Sequence, residues 1–354
     1  MCNKTNLYRT HDKILTFAVE YSKFKLASTN RAKPNRSKAM KNNLTFVNIT
    51  AERGKKAHGF TTVTPEIQIP VTVINGRQDG PLLLITAGIH GGEYPCIETA
   101  TKLAKEIDPA KINGGIVIIN CVNTAAFYAR VSYISPLDGK NINRLFPGDP
   151  NGTAGDKLAY FLTENYQKRA DFYLDLHGGD LHEKLPPYIY RPGVGDETVL
   201  QKSYDRAKYI NAKYMVKSKS TTGAYNSRAI LGLPCLLIER GGMGLWSEKE
   251  VADYKEDVYN IMAYLGITDK EPVLPKTPRK EMTDVIYLDA DVDGMWHCKF
   301  DTEQEIKQGQ RLGYITDIFG NVIKEYFAEI DGTVLYIATS LAITAGTAIF
   351  TYGK

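Results

Sequence analysis

The sequence predicts an α/β protein: a sheet of buried strands covered by helices, followed by a small all-β domain. Three observations carry this expectation. Short, mainly apolar runs at residues 81–85, 116–121, 172–176 and 235–238 read as buried strands. Helical periodicity fills stretches between them, as at residues 94–107, where Ile97, Ala100, Thr101, Ala104 and Ile107 fall on one stripe. Beyond residue 285 the chain is rich in β-formers, punctuated by turns, and shows no long helical pattern.

Residues 1–39 stand apart. They are rich in Lys and Arg against only Asp12 and Glu20 and show no sustained periodicity. They read as a basic arm or targeting segment, or as a flexible tail, or as residues ahead of a native start at Met40. Between residues 46 and 74, Thr, Val and Ile recur with polar neighbours and end in Asn75-Gly76, which reads as strands with a hairpin turn. The strand at 81–85 runs into the glycine-rich turn Gly88-Ile89-His90-Gly91-Gly92-Glu93 and then a helix. After the strand at 116–121 comes a long irregular stretch, residues 123–152, rich in Asn, Pro, Gly, Asp and Arg; loops of that length are usually functional. A helical pattern at 157–168 leads to the strand 172–176, which ends in His177-Gly178-Gly179. Two further strands, with a helix near 198–211 between them, fill residues 188–239. Ser247 can cap a helix reaching Leu265, with Glu248 and Glu250 in its first turn. Three prolines between residues 270 and 280 mark a linker at 271–281, dividing a domain at 40–270 from a β domain at 282–354.

Composition narrows the function. With 354 residues, 43% hydrophobic and 24% charged, this is an ordinary globular composition with room for a sizeable core. A net charge of +4 does not ask for nucleic acid. The five cysteines (Cys2, Cys96, Cys121, Cys235, Cys298) are odd in number and form no CxxC pair, which fits free thiols in a reducing compartment. No apolar run approaches the roughly 20 residues of a membrane span, and no signal-peptide core lies near the start. A cytoplasmic enzyme without nucleic-acid or membrane partners is the expectation; a homo-oligomer is compatible with it.

Polar residues sit where apolar strands end: His90 with Glu93, His177, and Glu239. Strand ends are where α/β sheets place ligands. An imidazole and a carboxylate three residues apart can share one divalent metal, and a second imidazole completes the three-ligand set of a catalytic zinc with one position open. His182 rivals His177 as the third ligand. Asp175, on the same strand face as His177, orients a ligand from outside or caps the strand. Glu239 offers a general base that passes a proton to a leaving amine; the bland alternative is a surface turn at Glu239-Arg240. On the long loop, Arg130, Asn143 and Arg144 suggest an anionic substrate, since guanidinium forks bind carboxylates, and Arg228 can add a second contact.

These stretches together resemble the succinylglutamate desuccinylase/aspartoacylase family, the acylase branch of the zinc carboxypeptidase-like (phosphorylase/hydrolase-like) fold. The resemblance rests on Ala87-Gly88-Ile89-His90-Gly91-Gly92-Glu93-Tyr94-Pro95, on Ser135-Pro136-Leu137-Asp138-Gly139-Lys140-Asn141-Ile142-Asn143-Arg144-Leu145-Phe146-Pro147-Gly148, on Asp175-Leu176-His177-Gly178-Gly179, and on Glu239-Arg240-Gly241-Gly242. It implies a mixed-sheet catalytic domain with helices on both faces, one Zn2+ per chain held by His90, Glu93 and His177, and Glu239 as the base. It further implies that Asn143 and Arg144 hold the substrate carboxylate, that Arg130 stabilises the oxyanion, and that Arg228 is a second substrate arginine. The substrate would be a small N-acylated amino acid, and the details look closest to bacterial members that deacetylate N-acetyl-diaminobutyrate. For the C-terminal part the resemblance implies a barrel-sandwich similar to lipoyl-carrier folds, matched by Gly309-Gln310-Arg311-Leu312-Gly313, Asp317-Ile318-Phe319-Gly320 and Asp331-Gly332-Thr333-Val334-Leu335. No lysine stands in its tip turn, so it reads as structural or as a rim for the site. The alternatives are a metallocarboxypeptidase acting on peptides and an inactive ligand-binding relative.

Overall fold

The computed structural model describes residues 42–276 and 278–354; the readings made for residues 1–39 and for a start at Met40 lie outside them. A nine-stranded mixed sheet forms the centre, in the order Lys280–Met282, Tyr214–Ser218, Tyr188–Pro192, Cys235–Glu239, Phe172–His177, Gln78–Ala87, Asn113–Ile119, Ile67–Asn75 and Lys55–Thr64. The four strands from Cys235–Glu239 to Asn113–Ile119 run parallel. Their carboxyl ends therefore share one edge, and the turns carrying His90, His177 and Glu239 come together there.

Every residue of Phe172–His177 and of Cys235–Glu239 is buried, because helices cover both faces. Leu83, Ile85, Leu174, Leu176, Leu236 and Ile238 point to one face and pack with Cys96, Ala100 and Leu103 of helix Tyr94–Glu106 and with Val258, Ile261 and Met262 of helix Glu248–Tyr264. Leu84, Tyr173, Cys235 and Leu237 point to the other, against helix Ala154–Asn165 and helix Ala224–Ile230. Pro95 opens helix Tyr94–Glu106 in its first turn. Ser247 accepts a bond from the Glu250 amide at the start of helix Glu248–Tyr264.

Two expectations change. Asn75-Gly76 is not a hairpin turn: Asn113–Ile119 lies between the strands on either side of it. Gly76 is there for space, since a Cβ would lie 2.6 Å from the Ile112 carbonyl oxygen. The stretch 123–152 is not wholly irregular; it holds helix Thr124–Ala129 and the 3-10 turn Ile142–Arg144.

The C-terminal strands form a four-stranded sheet and, joined by Glu183–Lys184, a five-stranded one around Trp296, Leu312, Ile315, Val334, Ile349 and Phe350. The division expected at residues 271–281 is crossed twice. Lys280–Met282 pairs into the large sheet beside Tyr214–Ser218, and Glu183–Lys184, just past His177, pairs with Gly332–Ala338 of the C-terminal sheet. No helix among the described residues is long and apolar enough to cross a membrane.

Candidate metal centre and active site

His90 and Glu93 sit on the turn leaving Gln78–Ala87, and His177 ends the neighbouring parallel strand. The turn can pack this tightly only with glycine: a Cβ at Gly91 would lie 2.2 Å from the Phe127 amide nitrogen, and one at Gly92 would lie 1.9 Å from Asp180 Oδ1. Ligand atoms of His90, Glu93 and His177 all fall within 4.8 Å of one another. His90 Nδ1 is 2.7 Å from Glu93 Oε1, and His177 Nδ1 is 3.1 Å from Glu93 Oε2. Both imidazoles thus turn Nδ1 inward.

What holds them so is an outer layer. His90 Nε2 lies 3.1 Å from Asn141 Oδ1, which also accepts the Asn143 amide. His177 Nε2 lies 3.2 Å from Asp175 Oδ2, off the line of a hydrogen bond. The other Asp175 oxygen accepts from Thr86 Oγ1 at 2.7 Å, which fixes the carboxylate. Partners of this kind set the tautomer and aim of metal-binding histidines.

Electrostatics tell the same story. Burial pushes the Glu93 carboxyl up, but the His177 and His90 imidazoles outweigh it and hold it at about 2. Burial lowers His90 and His177, yet Glu93 raises both, and Asp175 lifts His177 further, well above the usual imidazole range. Glu93 and Asp175 demand positive charge between them. A divalent cation with two neutral imidazoles supplies it, so the donor set and its convergence fit a zinc site with an open position. His182 is exposed, and its backbone carbonyl accepts from Thr339, so it stays outside the cluster. If the outer layer acts this way, Asp175→Asn should weaken metal affinity about 10- to 100-fold, read by chelator competition; unchanged affinity would reduce Asp175 to a strand-end partner.

Glu239 lies directly across from His177 in the strand register. It is 9% exposed, and its Oε2 has no hydrogen-bond partner among the described residues. Burial raises its carboxyl well above the ordinary range, with Glu93 and Glu183 adding to the rise. A carboxylate that gains protons this readily is suited to general-base work. The surface-turn alternative falls away: Arg240 is buried on the opposite face, where it pairs with Asp257 and donates to the Asn211 carbonyl.

The arginines are placed unequally. Asn143 Oδ1 accepts the Ala224 amide at 2.9 Å and locks the loop onto helix Ala224–Ile230. Arg144 is exposed, and among the described residues its guanidinium bonds only to the Asn143 carbonyl. Arg130 is exposed at the left-handed cap of helix Thr124–Ala129, with φ 55°. That loop reaches the site through the Tyr133 amide, which donates to Asp180 Oδ2 at 2.6 Å. Arg228 is partly buried on the short helix Ala224–Ile230. It sits near Cys235 and Glu164, and Cys235 begins the strand that Glu239 ends, about 13 Å away.

Asn141, Asp180 and Glu183 were missed in the sequence. Asn141 carries one signal, the Asn-x-Asn spacing of an Asx turn. The other two take their places from distant partners.

The sequence model of the succinylglutamate desuccinylase/aspartoacylase catalytic domain matches residues 79–265, more than half of the chain. The chain belongs to this family. Among its relatives, the N-alpha-acetyl-L-2,4-diaminobutyric acid deacetylase of Halomonas elongata is 29% identical over 276 residues, 76% of this chain and 80% of that protein. The product-bound ectoine utilization protein EutE (DoeB) of Ruegeria pomeroyi superposes with a TM-score of 0.77 at 26% identity, covering 89% of this chain and 99% of that one. A succinylglutamate desuccinylase/aspartoacylase from Rhodobacter sphaeroides gives 0.73 at 25% identity, covering 84% and 94%. In this chain His90, Glu93, His177 and Glu239 lie together at the carboxyl edge of the sheet.

Proposed function

We propose that the protein is a zinc-dependent deacylase that hydrolyses the amide bond of a small N-acylated amino acid. The observation that carries this reading is the convergence of His90, Glu93 and His177 with Glu239 facing them from the next strand. It is supported by the likeness to a deacetylase of N-acetyl-diaminobutyrate. When bound, the metal polarises the acyl carbonyl and activates water. His90, Glu93 and His177 hold it, and Asn141 and Asp175 fix the two imidazoles. Glu239 takes the proton of the attacking water and delivers it to the departing amine. Asn143 and Arg144 anchor the substrate carboxylate, Arg144 having no competing ion pair among the described residues, and Arg130 steadies the oxyanion.

The C-terminal sheet forms a rim. Its strand Gly332–Ala338 pairs with Glu183–Lys184, six residues beyond His177. That wall on the site's entrance suits a small substrate better than a peptide, which needs an open groove. The test is amine release from a panel of N-acetyl and N-succinyl amino acids set beside dipeptides with a free C-terminus. Release from an N-acyl amino acid alone supports the deacylase; cleavage confined to the dipeptides would replace it with a carboxypeptidase.

A further inference from the structure

The residue after the proposed base is held by a buried ion pair that the reaction does not touch. Arg240 and Asp257, 3% and 1% exposed, meet behind the sheet. Arg240 donates from Nε to Asp257 Oδ2 at 3.1 Å and again from Nη2. Nη2 also donates to the Asn211 carbonyl at 2.7 Å, and the Asn211 amide donates to Asp257 Oδ1 at 2.7 Å. Three residues earlier on the same helix, Glu248–Tyr264, stands Tyr254, fully buried. Its hydroxyl donates to the His177 carbonyl and lies 3.5 Å from the carbonyl of Ile238. The Arg240 guanidinium sits 5.6 Å from the centre of its ring. Two residues of one helix, Tyr254 and Asp257, therefore grip the peptide of His177 and the chain on both sides of Glu239.

Stability does not account for them. Their neighbours on that helix are apolar: Val258, Ile261 and Met262 pack on Leu176, Leu236 and Ile238. In such a setting a polar group costs free energy unless it is paired, and replacing a buried ion pair by apolar residues of similar volume is often neutral or stabilising. Burial raises the Asp257 carboxyl further than Arg240 lowers it, so the fold on balance disfavours that charge. A phenylalanine in place of Tyr254 would fill the same space with no hydroxyl to satisfy. What the three polar groups do provide is direction. A hydrogen bond fixes a distance and an angle, where apolar packing fixes a volume. The strand ends they hold are those on which His177 and Glu239 stand opposite each other in the register, and a catalytic group must be held to within about 0.5 Å of its working position.

We propose that Tyr254, Arg240 and Asp257 are positioning residues: they brace the ends of strands Phe172–His177 and Cys235–Glu239 from behind the sheet and so set where the Glu239 carboxylate stands against the metal centre. None of them touches the substrate or moves a proton. The inference rests on the deacylase reading, with Glu239 as its base, and adds the residues that keep that base in place.

Two variants remove the brace and leave every side chain that faces the site. Tyr254→Phe deletes one oxygen atom, and Arg240→Met/Asp257→Leu exchanges the ion pair for apolar residues of similar volume. At saturating zinc each is expected to keep KM within about twofold of the wild type and to lose kcat per bound zinc by about 10- to 100-fold, the cost of a small misplacement of a reacting group. Scoring kcat per bound zinc leaves unfolded protein out of the comparison. A brace that works through Glu239 has nothing to act on once Glu239 is replaced, so the same substitutions added to Glu239→Gln should cost less than about twofold. Wild-type kcat per zinc in both variants, or a loss of equal size with and without Glu239, marks a purely structural role and overturns the proposal. If the wild type cleaves no N-acyl amino acid, the deacylase reading fails separately, and crystal structures decide this one. A Glu239 carboxylate displaced by more than about 0.5 Å in either variant sustains the brace, and one that superposes on the wild type in both sinks it.

Discussion

Glu239→Gln is expected to retain its metal and lose hydrolysis by about 1,000-fold in kcat, near the middle of the range for removing a positioned acid–base group. The substitution keeps the shape of the side chain. It breaks no hydrogen bond of Glu239 Oε2, which has none among the described residues. It also removes a charge that burial already disfavours, so the fold should be at least as stable as the wild type. What disappears is the ability to take a proton from water and return it to the amine. Because the proposed carboxylate anchor on Asn143 and Arg144 is untouched, KM should change little, and the loss belongs to the transition state. Metal analysis and steady-state kinetics on the same preparation make the check. A variant that turns over at the wild-type rate would show that another group carries the proton.

The second large effect is His177→Ala. It removes one of the three proposed ligands and leaves Glu93 and Asp175, both buried, without the imidazole between them. Metal occupancy should fall to a small fraction of the wild type, and activity with it. Two buried carboxylates facing each other cost stability unless one protonates, so the melting temperature should also drop. Circular dichroism separates loss of metal from loss of fold. The bond from the Tyr254 hydroxyl goes to the His177 backbone carbonyl and survives the substitution. Wild-type metal content in a folded His177→Ala protein would contradict the ligand assignment.

How much of this could be read in the chain depends on the range over which each position is decided. His90, Glu93, His177 and Glu239 follow apolar strands at once, so local pattern and the rule that ligands gather at strand ends suffice to nominate them. The α/β character and the helix from Ser247 were legible for the same reason. Asn75-Gly76 misled because a turn signal says nothing about sheet order, and Asn113–Ile119 inserts between its flanking strands. Glu183 was silent: its place is fixed by Tyr336, 153 positions later, and by a strand pair that no periodicity in either segment announces. Asp180 likewise gains its setting from Tyr133 on the other loop.

The central claim, a metal-dependent deacylase, is tested most directly by amine release from N-acetyl-2,4-diaminobutyrate as a function of zinc content in the wild-type protein. The account predicts about one zinc per chain, loss of release when a chelator strips it, and recovery in proportion to zinc restored. Release that persists in metal-free protein, or protein that takes up no metal on reconstitution, would contradict it.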